Sequence, residues 1–186
     1  MALPLIVGIS GASGAIYGIR LLEILKSIRI PAHLIVSKSA VQTLKEECGS
    51  SVEAVRKLAA GLYSNSDIGA AVSSGSFKTR GMIIAPCSIR TLSDIAYGGT
   101  DNLLSRAADV QLKERRRVVL IVRETPLHAG HLRSMMAATE NGAIVMPPVP
   151  AFYHQPKTID DIVNQTVGRA LDLFDIEAKI VKRWKA

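Results

Sequence analysis

The chain has 186 residues, of which 48% are hydrophobic and only 4% aromatic, so it is long enough for one domain with an aliphatic core. The net charge of +7 suits anionic partners, but few aromatic residues accompany the basic ones and no basic tail is present, which argues against nucleic-acid binding. Two cysteines cannot form a disulfide framework or a zinc site alone, and no apolar run approaches the roughly 18 residues of a membrane span. We therefore expect a cytoplasmic protein.

In the first half of the chain, short apolar runs alternate with longer amphipathic stretches. The runs predict strands over residues 3–9, 32–37 and 81–87, and the amphipathic stretches predict helices over residues 15–28, 39–48 and 51–62. A polar loop rich in Gly and Ser is predicted over residues 63–80.

The same alternation continues in the second half. Helices are predicted over residues 88–97, 101–116, 126–142 and 159–174, with strands over residues 117–124 and 143–148. Continuous apolar strands separated by helices are typical of a parallel sheet covered on both faces. We therefore predict one α/β domain over residues 1–186: a Rossmann-like, flavodoxin-type three-layer sandwich with strand order 2-1-3-4-5.

A glycine-rich turn, "GISGASGAIYG", follows the first predicted strand and opens the first helix. It matches neither G-x-G-x-x-G nor the P-loop, yet it offers small residues, amides at a helix N-terminus and the hydroxyls of Ser10 and Ser13. The second strand ends in "VSKS" without the acid that holds a dinucleotide ribose, which disfavours NAD. Tight strand–helix packing is the alternative explanation for the glycines.

Six strings occur in one order along nearly the whole chain: "GISGASGAIYG", "SSGSFKTRGM", "APCSIRTLS", "RAADVQLKERR", "VRETPLH" and "PPVPAFYHQP". Together they resemble the UbiX family of flavin prenyltransferases. The resemblance implies transfer of the dimethylallyl group of dimethylallyl monophosphate to N5 and C6 of reduced FMN. It also implies metal independence, dodecamers with active sites at subunit contacts, and delivery of prenylated FMN to UbiD-type decarboxylases.

The resemblance also implies roles for individual residues. The residues expected to bind FMN are Gly11, Ala12, Ser13, Ser37, Ser88, Ile89, Arg90, Thr91 and Arg106. Those expected around the prenyl phosphate are Lys113, Arg123, Glu124, Tyr153 and Arg169. The expected catalytic residues are Ser13, Glu47, Lys113 and Glu124, and the resemblance does not decide whether Glu47, Glu124 or the released phosphate removes the C6 proton.

Several residues invite other interpretations. Cys87 lies at the end of a buried strand without a basic neighbour in sequence, so we expect a buried thiol rather than a nucleophile. His128 and His131 lack a visible third ligand for a metal. The sequence has no Asp-rich magnesium motif, which agrees with a monophosphate donor. An FMN-dependent decarboxylase and a non-catalytic FMN carrier remain alternative functions.

Overall fold

A six-stranded parallel sheet forms the centre of the protein, seen in a computed structural model that describes residues 2–185. The strands are β1 (Leu5–Ile9), β2 (Ala32–Val36), β3 (Gly61–Ser64), β4 (Gly81–Cys87), β5 (Arg117–Val122) and β6 (Ile144–Val145). Their order across the sheet is β3-β2-β1-β4-β5-β6, and every neighbouring pair is parallel. The parallel α/β class predicted from the sequence is confirmed.

Seven α-helices cover the two faces of this sheet. They are α1 (Ala15–Ser27), α2 (Lys38–Cys48), α3 (Val52–Arg56), α4 (Ile89–Tyr97), α5 (Leu103–Lys113), α6 (Ala129–Glu140) and α7 (Ile159–Asp172). Alternate residues of β1 divide the core: Leu5 and Val7 pack with α1 and α7, whereas Ile6 packs on the opposite face with α4 and α5. The result is the three-layer arrangement expected from the apolar strands.

The strand order needs one correction. The five predicted strands lie side by side in the predicted sequence 2-1-3-4-5, but β3 adds a sixth strand beside β2, pairing Leu62 with Leu34. The sequence pattern predicts a helix and a polar loop for this segment. An edge strand is covered on fewer sides, and β3 is only half-buried, so it lacks the apolar run that marks the other strands. Helix α3 accordingly ends at Arg56.

Other predicted boundaries shift by a few residues. Strand β6 is only two residues long, because Pro147 and Pro148 follow it and have no amide to donate to a sheet. Helix α6 begins at Ala129 rather than at Pro126, and the His128 side chain caps it by accepting from the Gly130 N–H. Each of these shifts lies at an element end, where local pattern is weakest.

Candidate active site

A crevice of about 520 Å³ opens at the carboxyl ends of the strands. The strand order changes direction between β1 and β4, because β2 and β3 lie on one side of β1 and the later strands lie on the other. Open α/β sheets bind ligands in the crevice at such a switch point. The lining side chains are mostly polar and come from α2, α4, the start of α5 and the loop after β3: Ser37, Lys38, Ser39, Gln42, Asn65, Ser88, Arg90, Thr91, Asp94, Asn102 and Leu104. The crevice therefore has the position and polarity of a site for a phosphorylated ligand.

Ser10 joins the two loops that meet at the switch point. Its hydroxyl is buried, donates to the Pro86 carbonyl oxygen (2.9 Å) and accepts from the Ser88 N–H (2.7 Å). Both hydrogen-bonding roles of this hydroxyl are thus used inside the protein. Ser10 supports the crevice and is not a ligand donor, contrary to the prediction made from the glycine-rich turn.

Glu47 occupies the N-terminus of α1. Its Oε2 accepts hydrogen bonds from the Gly14 N–H (2.7 Å) and the Ala15 N–H (3.1 Å). Partial burial opposes ionisation, but these amides, the neighbouring Ser13 hydroxyl and the charge of Arg123 together hold the pKa of the carboxyl below its ordinary value. Glu47 is therefore a carboxylate that fills the anion position which the glycine-rich turn would otherwise offer to a phosphate.

Two other helix N-termini, those of α2 and α4, face the crevice. Ser37 caps α2 by accepting from the Ala40 N–H (3.2 Å), and Ser88 caps α4 by accepting from the Thr91 N–H (3.3 Å). The remaining first-turn amides of a helix lack intrahelical partners and carry partial positive charge. The predicted FMN-binding residues Ser37, Ser88, Arg90 and Thr91 thus line one crevice, and Ile89 lies in the first turn of α4 between them.

Gly11 lies against α2. A Cβ on Gly11 would collide with the Ser39 side chain, so only glycine allows the turn to approach α2 this closely. Ser39 Oγ in turn lies 3.2 Å from Ser37 Oγ. The structure thereby brings Gly11, and the turn that also carries Ala12 and Ser13, to the rim of the crevice.

Arg123 and Glu124 follow β5 at the carboxyl ends of the strands, where the crevice opens. The Arg123 N–H donates to the Cys87 carbonyl oxygen (3.0 Å), and the charge of its side chain acts on Glu47. Glu124 Oε1 accepts from the Thr125 N–H (3.1 Å). The structure therefore brings Ser13, Glu47 and Arg123 close together at the carboxyl ends of the strands, with Glu124 next in the chain.

The two predicted site residues on α5 lie elsewhere. Arg106 pairs with Asp109 (Nη1 to Oδ2, 3.0 Å) and Lys113 pairs with Glu114 (Nζ to Oε1, 2.7 Å). Helix α5 begins beside Asn65 at the crevice and runs about 1.5 Å per residue toward the starts of the strands. Lys113 is in the last turn of α5 and thus lies near the amino-terminal ends of the strands, whereas Arg123 follows the carboxyl end of β5. The predicted contact of Lys113 with the site around Arg123 does not occur within one chain.

Tyr153 and Arg169 belong to a cluster near the C-terminus. Tyr153 OH accepts from Gln165 Nε2 (2.8 Å), and its ring meets the Trp184 ring edge-on at 5.5 Å. Arg169 pairs with Asp172, which also binds Arg183, beside a separate depression of about 360 Å³. Two arginines and three carboxylates line this depression, and neither Tyr153 nor Arg169 lines the crevice described above.

Comparison with known proteins decides the family. Residues 2–183 match the family model described as Flavoprotein. The flavin prenyltransferase UbiX of Thauera aromatica is 56% identical over 180 residues, which cover 97% of this chain and 93% of the relative. The chain belongs to the UbiX family of flavin prenyltransferases.

Solved structures agree with this assignment to the UbiX family. AnUbiX in complex with FMN and dimethylallyl pyrophosphate superposes with a TM-score of 0.98 at 46% identity, covering 100% of this chain and 99% of AnUbiX. A dodecameric FMN-dependent UbiX-like decarboxylase from Escherichia coli O157:H7 gives 0.96 at 45% identity, covering 99% of this chain and 100% of that chain. The fold and the sequence thus lead to the same family.

Cys87, His128 and His131 are the residues that invited other interpretations. The Cys87 thiol is buried, donates to the Ser88 carbonyl oxygen, and has its pKa raised by that burial, so it is not poised as a nucleophile. The His128 and His131 rings stack with centroids 3.6 Å apart. Across residues 2–185 no group of three or more His, Cys, Asp or Glu side chains could hold a metal ion, and no helix there is long and apolar enough to cross a bilayer.

Sequence reasoning missed several lining residues of the crevice. Asn65 follows the unpredicted strand β3, and its Oδ1 accepts from the Leu104 N–H (2.9 Å). Asn102 caps α5 by accepting from the Ser105 N–H (3.1 Å), a position that the Asn before an apolar helical pattern could have indicated. Asp94 lies within α4 as an ordinary polar residue, and nothing in the sequence marks it.

Proposed function

We propose that this chain transfers the dimethylallyl group of dimethylallyl monophosphate to N5 and C6 of reduced FMN. In this reaction the donor C–O bond breaks and phosphate leaves with the bonding electrons. N5 loses its proton and bonds to one carbon of the allyl group, the alkene takes up a proton, and C6 bonds to a second carbon and loses its own proton, so the flavin gains C5H8. The observation that carries the proposal is a polar crevice at the switch point that receives the N-termini of α2 and α4, in a member of the UbiX family. AnUbiX was solved in complex with FMN and dimethylallyl pyrophosphate.

The flavin phosphate fits the first turns of α2 and α4. The Ser37 and Ser88 caps orient these turns, and their free amides favour a dianion. The turn containing Gly11, Ala12 and Ser13 is left to contact the flavin ring, since Glu47 already occupies the helix N-terminus behind it. This division of the crevice agrees with phosphate at one end and ring at the other.

Charge placement limits the roles of the acidic residues. A carboxylate whose pKa lies below the ordinary value of 4.5 is a weak proton acceptor, so Glu47 suits orientation of Ser13 and electrostatic stabilisation better than removal of the C6 proton. Glu124 or the released phosphate is left for that step. Arg123, beside Glu47, can stabilise negative charge on the leaving phosphate.

A complete donor site requires more than one copy of the chain. Lys113 lies at the far end of α5, and Arg169 lies beside Asp172 in the C-terminal cluster. We propose that a neighbouring copy supplies Arg106 and Lys113, in an assembly like the dodecamer of the E. coli O157:H7 protein. We also propose that the product, prenylated FMN, serves UbiD-type decarboxylases.

The test is an anaerobic incubation of the protein with reduced FMN and dimethylallyl monophosphate in the presence of EDTA. We expect a flavin that gains C5H8 by mass spectrometry together with an equal amount of inorganic phosphate. Dimethylallyl pyrophosphate in a parallel reaction tests the donor preference, and we expect much less product from it. Absence of the adduct with intact FMN binding would support a carrier, and decarboxylation of an aromatic acid without a partner enzyme would support a decarboxylase.

A further inference from the structure

A second pocket, here called the side pocket, adjoins the crevice on the side of β3. It has a volume of about 430 Å³ and shares Lys38, Asn65 and Asn102 with the crevice. Ser66 and Asp101 line the side pocket but not the crevice. Small-ligand sites in proteins usually measure roughly 300–1,000 Å³, so the side pocket is large enough to hold a ligand fragment of its own.

The strand order places the side pocket where a dinucleotide would extend. The order β3-β2-β1-β4-β5-β6 divides the sheet into two halves of three strands, and it is the order of the fold that binds dinucleotides across the switch point. In that fold one nucleotide lies beyond the carboxyl end of β2. The side pocket occupies this position, since its wall includes Val36 and Ser64, the last residues of β2 and β3.

An acidic residue lies in the side pocket. Dinucleotide-binding folds use an acid near the end of β2 to bind the ribose hydroxyls, and β2 of this chain ends without one. The structure supplies Asp101 instead, from the loop that precedes α5. Asn102 is the residue that caps α5, so the exposed Asp101 carboxylate is not part of the capping interaction. Its place in the side pocket suits a ribose diol.

Lys38 lies between the crevice and the side pocket. It is the first residue of α2, where the positive end of the helix dipole disfavours a cation. Within the described chain, the first turn of α2 holds no acidic residue that could offset this charge. A ligand anion that spans the two pockets would do so, and a pyrophosphate has the required charge.

Hydrogen bonds hold the walls of the side pocket together. The Asn65 carbonyl oxygen accepts from the Leu103 N–H (2.9 Å), and Asn65 Oδ1 accepts from the Leu104 N–H (2.9 Å). These two bonds tie the loop after β3 to the start of α5. Because the pocket is formed before any ligand enters, little free energy is needed to order it on binding.

We propose that the crevice and the side pocket form one elongated site that also binds a flavin dinucleotide. The FMN half lies in the crevice and the second nucleoside monophosphate lies in the side pocket. Lys38 contacts the pyrophosphate, and Asp101 accepts hydrogen bonds from the ribose hydroxyls of the second nucleoside. The inference rests on the proposed function, because it assumes that the crevice takes FMN. It adds a second class of flavin that competes with FMN for the same site.

The experiment measures dissociation constants for FMN and flavin adenine dinucleotide (FAD) by isothermal titration calorimetry at constant salt. We expect the wild type to bind FAD within about tenfold of FMN or more tightly. For Asp101→Asn we expect FAD binding to weaken by about threefold to tenfold, with FMN binding unchanged. Repulsion between Asp101 and the pyrophosphate would by itself predict the opposite sign for FAD. Asp67→Asn removes the same charge from an exposed position outside both pockets and should change neither constant.

A bulky side chain at Ser66 tests the same site by a different route. Ser66→Phe should fill the side pocket and weaken FAD binding by about tenfold or more, without effect on FMN. Ser76→Phe is the matched control, because Ser76 is exposed outside both pockets and has the same local hydrogen bonds. Ser66 Oγ lies 2.8 Å from Ser64 Oγ, and Ser76 Oγ lies 2.8 Å from Ser74 Oγ. We expect Ser76→Phe to bind both flavins as the wild type does.

The outcomes separate this inference from the proposed function. FAD binding that is more than about tenfold weaker than FMN binding in the wild type would overturn the inference alone. FAD binding that is unchanged or tighter in Asp101→Asn, or unchanged in Ser66→Phe, would do the same, because the second nucleotide would then lie in solvent. Equal weakening of FMN and FAD would assign these residues a structural role and would also overturn it. Failure of the wild type to bind FMN would instead overturn the proposed function.

Discussion

Replacing Glu47 by glutamine tests whether a side chain from α2 stabilises the start of α1. In the wild type, Oε2 accepts from the Gly14 and Ala15 amides, and the carboxylate faces the positive end of the helix dipole. Side-chain caps are typically worth about 1 kcal/mol, and solvent screening at this partly exposed site keeps the charge contribution small. Glutamine retains an acceptor and loses only the charge, so we expect a loss of about 0.3–1 kcal/mol at pH 7.

The loss should lower the melting temperature by about 1–4 °C in a chain of this size. Its dependence on pH follows from the lowered pKa of the carboxyl. The stabilisation is fully present above the ordinary value of 4.5 and disappears as the pH falls through the lower pKa of the folded protein. Thermal unfolding of wild type and Glu47→Gln from pH 7 to pH 3 should therefore give two curves that converge below pH 4.5.

Glu46→Gln is the matched control, since Glu46 is exposed and its carboxylate accepts a 2.9 Å hydrogen bond from Gln42 on its own helix. We expect its effect on unfolding free energy to stay within about 0.5 kcal/mol. Equal deficits for the two variants would refute the reasoning. A Glu47→Gln deficit that stays constant down to pH 3 would do the same, because it would not depend on ionisation.

Three further predictions concern other buried or half-buried groups. Ser10→Ala should lower the unfolding free energy by about 1–3 kcal/mol, because it leaves the half-buried Ser88 N–H without its acceptor, whereas Ser76→Ala on an exposed loop should change it little in denaturant titrations. Burial raises the pKa of Cys87, so a thiol reagent at pH 8 should label at most Cys48 in the native protein and both cysteines after denaturation, and native labelling of Cys87 would contradict this. Burial lowers the pKa of His33, so protonation favours the unfolded state and stability should fall as the pH drops below 6.5, a dependence that His33→Phe should reduce in melting curves.

Local patterns were sufficient for most of the secondary structure. The strands β1, β2, β4 and β5 are fully or almost fully buried, so each reads as an unbroken apolar run whatever lies beside it. Strand β3 escaped prediction because an edge strand is stabilised by backbone pairing with β2, and backbone pairing leaves little trace in side-chain type.

The candidate site was likewise predictable only in part. The resemblance identified the turn with Gly11 and the caps Ser37 and Ser88, and the structure brings these to one crevice. It could not reveal that the Ser10 hydroxyl is hydrogen-bonded to Pro86 and Ser88 inside the protein. Nor could it reveal that Lys113 lies near the amino-terminal ends of the strands, paired with Glu114. Both facts depend on which loops meet in space.

The sequence by itself therefore determined the parallel α/β class, most element positions, and the family to which the chain belongs, because these depend on periodicity and on residue identity along the chain. Tertiary structure alone decided that Glu47 reaches Gly14 across 33 positions and that Ser10 reaches Ser88 across 78. Such contacts arise when packing of the sheet brings distant loops together, and no local pattern encodes them. They place a carboxylate at the helix N-terminus that the glycine-rich turn opens.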